Sequence, residues 1–363
     1  MSGGVDSSVA AYLLAKANYE VIGINLKLFN TPARQDLAGG EETGRCCGNQ
    51  GIEDARAVCA KLGVPFYTLN YRDEFKEKVI EYFCSEYKEG RTPNPCVICN
   101  EKIKFGHLLQ KAKSLNADYI ATGHYAKVGY DKKNKRYLLK KGKDIGKDQS
   151  YFLFSLSQEQ LKHTLFPLGD YTKQDVRKLA KKIGLKTHDK PASQDICFIA
   201  GCDYHEFLRN HINDTYKPGL IINSNGETLG KHKGVPFYTV GQRKGLGPHK
   251  KPMYVIHIDK KKNVIVIGEE KELYQDTLTV KNLNWIEIEK LTKPLKVKAR
   301  IRYGSKESEA TISPVAENLT NPHTKTFGVE VKVKFDKSQR AITPGQAVVF
   351  YNKDKVIGGG WIT

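Results

Sequence analysis

Ser2-Gly3-Gly4-Val5-Asp6-Ser7-Ser8 runs without a break into Val9-Ala10-Ala11-Tyr12-Leu13-Leu14-Ala15. A glycine pair followed by short polar residues and an apolar helical stretch is a turn that opens a helix. Lacking Cβ atoms, Gly3 and Gly4 let the backbone turn tightly and aim amide hydrogens at phosphate oxygens. Asp6, Ser7 or Ser8 is expected to cap the helix, whose positive end favours an anion. No Gly-Lys-Ser/Thr follows, so this is not the lysine-bearing phosphate loop of kinases and small GTPases. Outward from the loop, 9–17 reads as helix and 19–29 as a short β-rich run. Ile52, Ala55, Val58, Cys59 and Leu62 lie at helical spacing within 51–62. A strand is expected at 65–69, helices at 73–87 and 104–115, and a strand at 118–122 that ends at Gly123. This alternation predicts an α/β domain with a parallel sheet covered on both faces, its ligands at the carboxyl ends of the strands.

Helical patterning then covers 161–183, and a loop with Pro191 and Ser193 follows. Residues 205–270 form a small Gly-rich segment with short strands at 251–259 and 263–268. Beyond 275 the pattern is all β, in segments such as 295–301, 326–335 and 346–351, divided by turns such as Thr343-Pro344-Gly345. Three domains are expected: a catalytic domain over 1–203, a small central domain over 204–273 and a C-terminal β-barrel over 274–363.

With 59 Lys and Arg against 40 Asp and Glu, the 363-residue chain carries a formal net charge of +19. Basic runs recur at 132–143, 181–182, 250–251 and 260–262. Their spread suits a polyanion such as nucleic acid, and a solvated Lys-rich surface is the plainer alternative. A hydrophobic share of 39% and an aromatic share of 10% fit a folded protein and exclude a disordered one. No apolar run approaches the roughly 18 residues that span a bilayer. The apolar stretch 9–15 has no basic leader and does not read as a signal peptide. Eight cysteines without a secretory segment point to a reducing compartment, the cytoplasm.

The second dense stretch is Thr92-Pro93-Asn94-Pro95-Cys96-Val97-Ile98-Cys99-Asn100-Glu101-Lys102-Ile103-Lys104-Phe105. Its prolines hold an extended turn before a helix. Cys99 then lies near a helix N-terminus with Lys102 and Lys104 close by, features that lower a thiol pKa. A third stretch, Ser193-Gln194-Asp195-Ile196-Cys197-Phe198-Ile199, places another cysteine in a polar context. Three readings stay open for these thiols: Cys96 and Cys99 as half of a zinc site, an iron–sulfur cluster on Cys96, Cys99 and Cys197, or a pair of catalytic cysteines. Cys59 and Cys84 read as core. Cys46, Cys47 and Cys202 read as structural, with a metal or redox role for Cys46-Cys47 as the alternative. Among the histidines, His124 stands out in Ala121-Thr122-Gly123-His124-Tyr125-Ala126, whereas His205, His232, His249 and His257 receive no role.

The opening loop resembles the SGGxDS loop of ATP pyrophosphatases, which split ATP between its α and β phosphates. In order, SGGVDSS, the NPxxxCNxxIKF segment, ATGHYA, KDQSYFL, SQDICFI, GQRKGLG and TPGQAVVFY resemble the motifs of tRNA-specific 2-thiouridylases over nearly the whole chain. The resemblance implies an adenine nucleotide alpha hydrolase-like N-terminal domain, ATP as substrate with Mg²⁺, and 2-thiolation of the wobble uridine at tRNA position 34. AMP and pyrophosphate are the implied products. It implies Cys99 as nucleophile and Cys197 as the persulfide carrier, the two forming an alternate disulfide during turnover. Met1, Ser2, Gly3, Gly4, Val5, Asp6, Ser7, Leu26 and Gly123 correspond to ATP-binding positions. Asn94, Pro95, Cys96, His124, Lys147, Asp148, Gln149, Arg302, Tyr303 and Gln346 correspond to tRNA-binding positions. The family usually carries Asp where Cys96 stands. In the family a hydrophobic strand precedes the loop; here the loop opens the sequence, so that strand lies upstream of Met1 or another segment replaces it. The expected partners are tRNA and a sulfur-relay or cysteine desulfurase donor, with no membrane. An iron–sulfur cluster is the less favoured alternative.

Two other functions compete. An amide-forming synthetase could share the loop, but the basic β-rich C-terminal region argues against it. A non-catalytic RNA-binding protein with a metal site would have no need of the ATP loop.

Overall fold

The computed structural model describes residues 1–29, 49–189, 196–199, 203–212, 216–315 and 330–363. The chain forms two compact units, Met1–Ile80 with Cys96–Gly201, and Glu81–Pro95 with Cys202–Thr363. No helix among the described residues is long and apolar enough to cross a membrane.

In the first unit the opening helix is Val5–Lys16. Gly4 is its N-cap, and no side chain caps it, in contrast to the cap expected from Asp6, Ser7 or Ser8. The two serine hydroxyls turn back instead and donate to the Gly4 carbonyl, at 3.1 Å from Ser7 and 2.9 Å from Ser8. Val5, Val9 and Ala10 bury against Val58, Leu168, Val176, Ala180 and Leu185. Residue Asn18, at φ 61°, ends the helix in the left-handed conformation that Asn tolerates.

Parallel strands are present in two separate pairs, Gly23–Lys27 beside Phe66–Asn70 and Ile120–Ala121 beside Thr164–Leu165. The second pair overturns the single helix expected over 161–183. That stretch divides into a helix Gln158–Lys162, the strand Thr164–Leu165, a turn and a helix Lys173–Lys182. Pro167 and Gly169 break the helical run. Thr172 then starts the last helix with a capping box closed by Asp175. The basic run near 132–143 is largely a hairpin of Ala126–Asp131 and Arg136–Lys141.

In the second unit four strands pair in the order Thr228–His232, Gly219–Ile222, Val264–Gly268, Tyr254–Asp259. The C-terminal strands Tyr274–Trp285, Val331–Arg340, Ser308–Pro314, Leu295–Arg300, Ala347–Asn352 and Lys355–Ile362 pair in that order, and the last closes on the first as a six-stranded barrel. Inward Val331, Val333 and Phe335 alternate with exposed neighbours and join Val280, Val297, Ile312, Val348 and Phe350 in the core. The turn before Ala347 grips residues far earlier in the chain. Gln346 donates its amide to the carbonyls of Thr92 (3.0 Å) and Pro93 (3.1 Å), and the Thr92 amide donates to Pro344 at 2.8 Å.

Candidate active site

The glycine loop is tied to its own helix and to a charge cluster. Ser2 donates its amide to the Ser7 hydroxyl at 3.2 Å. Gly3 has φ 72°, and a Cβ there would lie 2.2 Å from the Gly51 carbonyl oxygen, so only glycine fits. Lys173 reaches both carboxylate oxygens of Asp6 at 2.6 Å, and the Tyr125 hydroxyl donates to one of them at 2.7 Å. The lysine ammonium also lies 5.8 Å from the centre of the Tyr125 ring. Burial, and then the Asp6 charge, push the Tyr125 phenol far above its ordinary value. The loop therefore sits beside a cation held by the Asp6 carboxylate and the Tyr125 ring.

Leu26 follows Asn25, whose amide donates to the Met1 carbonyl at 2.8 Å. One strand thus connects the loop to an apolar cluster of Leu28, Phe75, Val79, Cys99 and Ile103, against which Leu26, Cys197 and Phe198 pack. Phe198 meets Phe75 edge-on at 5.7 Å. The two thiols singled out in the sequence, 98 positions apart, therefore share one cluster with the strand beside the loop. Cys99 is a free thiol.

Cys99 is buried at the start of a wide π-helical stretch, Cys99–His107, entered from a short helix that opens on Pro95. Burial pushes its thiol up, and Lys104 opposes the shift only in part. This corrects the expected thiolate. Lys102 turns to Glu101 at 2.6 Å and Lys104 donates to Asn100 at 3.0 Å, so neither lysine outweighs desolvation. His124 lies between Phe105 and Phe166, with ring centroids at 6.1 and 5.9 Å, and its Nδ1 is 2.8 Å from the Thr122 hydroxyl. Burial first and Lys104 second hold its pKa well below the ordinary value, so the imidazole is neutral.

Family models match nearly the whole length in three parts: a tRNA methyl transferase HUP domain over residues 1–201, a tRNA methyl transferase PRC-barrel domain over 205–269 and an aminomethyltransferase beta-barrel domain over 275–362. The tRNA-specific 2-thiouridylase MnmA of Clostridioides difficile is 49% identical over 363 residues, covering 100% of this chain and 96% of the relative. Its namesake from Halothermothrix orenii is 51% identical, covering 100% and 97%. This chain belongs to the tRNA-specific 2-thiouridylase family. One solved chain, the U34-tRNA thiolase NcsA from Methanococcus maripaludis with its [4Fe-4S] cluster, is 22% identical over 58% of this chain and 64% of that one, with a TM-score of 0.32.

The other expected positions of this thiouridylase-family chain divide between the two units. In the first, Gly123 lies against the loop: a Cβ there would be 2.8 Å from the Asp6 carbonyl carbon. Cys96 is exposed. Lys147 is exposed, while Asp148 is buried and accepts from the amides of Gly142 and Ser150 and from the Ser150 hydroxyl. Gln149 accepts from the Tyr125 amide at 3.0 Å. In the second, Asn94 and Pro95 are buried after the residues that Gln346 grips. Arg302 and Tyr303 are half-buried at a turn where Arg300 lies 5.1 Å from the Tyr303 ring. Cys59 and Cys84 are core residues. Ser193, Gln194, Asp195, Cys46, Cys47 and Cys202 lie outside the described residues. Sequence reasoning missed Lys173 and Tyr125. The Thr172 and Asp175 capping pair could have marked a helix start at Lys173, but only tertiary packing aims that lysine at Asp6.

Proposed function

We propose that this chain is a tRNA-uridine 2-sulfurtransferase that thiolates the wobble uridine at the expense of ATP. The observation that carries the reading is the meeting of Cys99 and Cys197 in one cluster with Leu26, on the strand next to the phosphate loop. A uridine C2 carbonyl is a poor electrophile. Its oxygen attacks the α-phosphorus of ATP, pyrophosphate leaves, and C2 now carries AMP as a leaving group. The terminal sulfur of a persulfide on Cys197 attacks C2. The Cys99 thiolate then attacks the Cys197 sulfur, giving a Cys99–Cys197 disulfide, 2-thiouridine and AMP. A cellular dithiol reduces the disulfide, and a sulfur-relay protein or cysteine desulfurase reloads Cys197.

Met1 to Ser7 and Gly123 hold the phosphates and Leu26 packs on the adenosine; Mg²⁺ bound with the nucleotide would offset the phosphate charge. Asn94, Pro95, Cys96, His124, Lys147, Asp148, Gln149, Arg302, Tyr303 and Gln346 serve the tRNA. The chain divides in this reading into 1–203, 204–273 and 274–363, which the family-model spans 1–201, 205–269 and 275–362 support. Methyl transfer, the chemistry in two of those models' descriptions, needs neither a pyrophosphatase loop nor a thiol pair. Among the described residues no three Cys, His, Asp or Glu side chains gather as a metal site.

The test supplies the purified protein with ATP, a cysteine desulfurase, cysteine, a dithiol and an unmodified tRNA transcript. Nucleoside mass spectrometry should find 2-thiouridine, with AMP and pyrophosphate as the other products. Formation of ADP, or no 2-thiouridine from protein that binds both ATP and tRNA, would overturn the reading.

A further inference from the structure

The Gly-Gln-Arg-Lys-Gly-Leu-Gly stretch at 241–247 has no part in the chemistry above, yet it lies within a long run of the chain that has basic residues and no acidic ones. From residue 228 to 258 there are six Lys and Arg (Lys231, Lys233, Arg243, Lys244, Lys250 and Lys251) and no Asp or Glu. The loop is also held firmly. Gly241 donates to Val255 at 2.7 Å, and the Val255 amide donates to Gln242 at 2.9 Å. The Gln242 side chain accepts from the Thr239 amide at 3.0 Å and donates to the Lys244 carbonyl at 2.9 Å. Leu246 is buried as an anchor, and His249 donates through Nε2 to its carbonyl at 3.0 Å.

The braced segment surrounds a recess of about 400 Å³ whose lining includes Arg243, Gly247, His249, Lys250 and Lys251. Lys251 is paired with Glu269 at 2.7 Å. Arg243 and Lys250 are exposed and have no acidic partner among the described residues. Like charges held together without an acid repel one another. A loop that uses its side chains and buried leucine to keep them so has its ordering entropy already met before an anion arrives. A phosphate bridging Arg243 and Lys250 removes the repulsion and gains charge-assisted hydrogen bonds.

We propose that this recess is a docking site for a backbone phosphate of the substrate tRNA, using Arg243 and Lys250. The identity of the polyanion rests on the function proposed above; the anion site itself does not. Backbone contacts position an RNA without reading its sequence, so the site contributes affinity and orientation and no base preference.

The experiment compares the full-length wild type, Arg243→Ala/Lys250→Ala, Lys251→Ala and Gln242→Ala in tRNA binding across a salt series, and in thiolation. Each phosphate contact adds roughly 0.7–0.9 to the salt slope. The double variant should therefore lose a slope of about 0.8. Between 50 and 200 mM salt its affinity should fall about threefold less than that of the wild type. Its KM for tRNA should rise while KM for ATP and kcat are unchanged. Lys251→Ala should change the slope less, because Glu269 already neutralises that lysine. Gln242→Ala should weaken binding and keep the slope, since it loosens the loop and removes no charge. A second arm titrates inorganic phosphate at fixed ionic strength. Phosphate binding that needs Arg243, with tRNA affinity of the double variant unchanged, would make this a free-anion site and overturn the proposal. An unchanged salt slope, or a loss confined to kcat, would overturn it as well. If the wild type binds tRNA with this loop-dependent slope and makes no 2-thiouridine, the docking site stands and the sulfurtransferase reading falls.

Discussion

Replacing Gly123 by Ala tests whether the phosphate loop works at the tolerance its packing implies. Gly123 is outside the left-handed region, so alanine meets no backbone objection. Its Cβ would nevertheless lie 2.8 Å from the Asp6 carbonyl carbon, 2.9 Å from the Ser7 nitrogen and 3.0 Å from the Asp6 Cβ. Carbon atoms in comfortable contact are about 3.5–4.0 Å apart, so the first turn must retreat by roughly 0.7–1 Å. It cannot retreat freely, because Lys173 and Tyr125 hold the Asp6 carboxylate. Overpacking of this kind costs about 1–3 kcal/mol, and each kcal/mol lowers Tm by about 2–4 °C in a unit of this size. A displacement near 1 Å in a positioning element costs about 100-fold in turnover. Formation of AMP, followed by chromatography with saturating tRNA, should fall by that order while tRNA affinity is retained. Gly230→Ala is the control, since a Cβ there meets nothing within 4 Å. Wild-type AMP formation and Tm in Gly123→Ala would refute the packing argument.

Cys99→Ser and Cys197→Ser should each abolish 2-thiouridine formation and leave ATP binding intact, whereas Cys59→Ser or Cys84→Ser should lower stability by about 1–3 kcal/mol and spare the rate per folded molecule; a thiolating Cys197→Ser variant would remove the carrier role. Burial pushes both the Cys96 thiol (to about 11) and the Cys99 thiol up, so accessibility decides their reactivity, and iodoacetamide should label exposed Cys96 faster than buried Cys99; mass-spectrometric time courses with equal rates would count against that. His124, with its folded pKa well below 6.5, binds its proton later than the unfolded chain does. Its stabilisation is complete above about pH 6.5 and is lost as pH falls through the folded value, so urea titrations should show a shallower acid decline in His124→Phe.

The loop, the helix after it and the barrel strands were legible because their signals are local. Glycines followed by polar residues, apolar spacing at period 3.6, and alternation along 331–335 depend on neighbours in sequence. The failure at 161–183 has the same origin, for Leu161, Leu165 and Leu168 imitate helical spacing across a strand and a proline turn. The thiol pair was legible as residues, but the Cys99 environment was not. Counting nearby lysines implied a thiolate, whereas Glu101 and Asn100 engage those lysines and the apolar cluster raises the pKa. Lys173 was beyond reach, since it stands 167 positions from the carboxylate it holds.

The grip of Gln346 on Thr92 and Pro93 spans 254 and 253 residues of chain. A ribosome adding about 5–20 residues per second leaves roughly 13–50 s between the two ends of that grip. For a little under half of this interval Tyr87 and Phe83 of the Glu81–Pro95 segment lack their later neighbours Tyr204 and Phe207, and Tyr82 lacks Trp361 throughout it. Of the three rings, Tyr82 alone waits until the last strand is made. A nonsense mutation anywhere in the barrel leaves that segment without its C-terminal grip. Such truncated products are candidates for chaperone capture and proteolysis, not for service as a free-standing catalytic half.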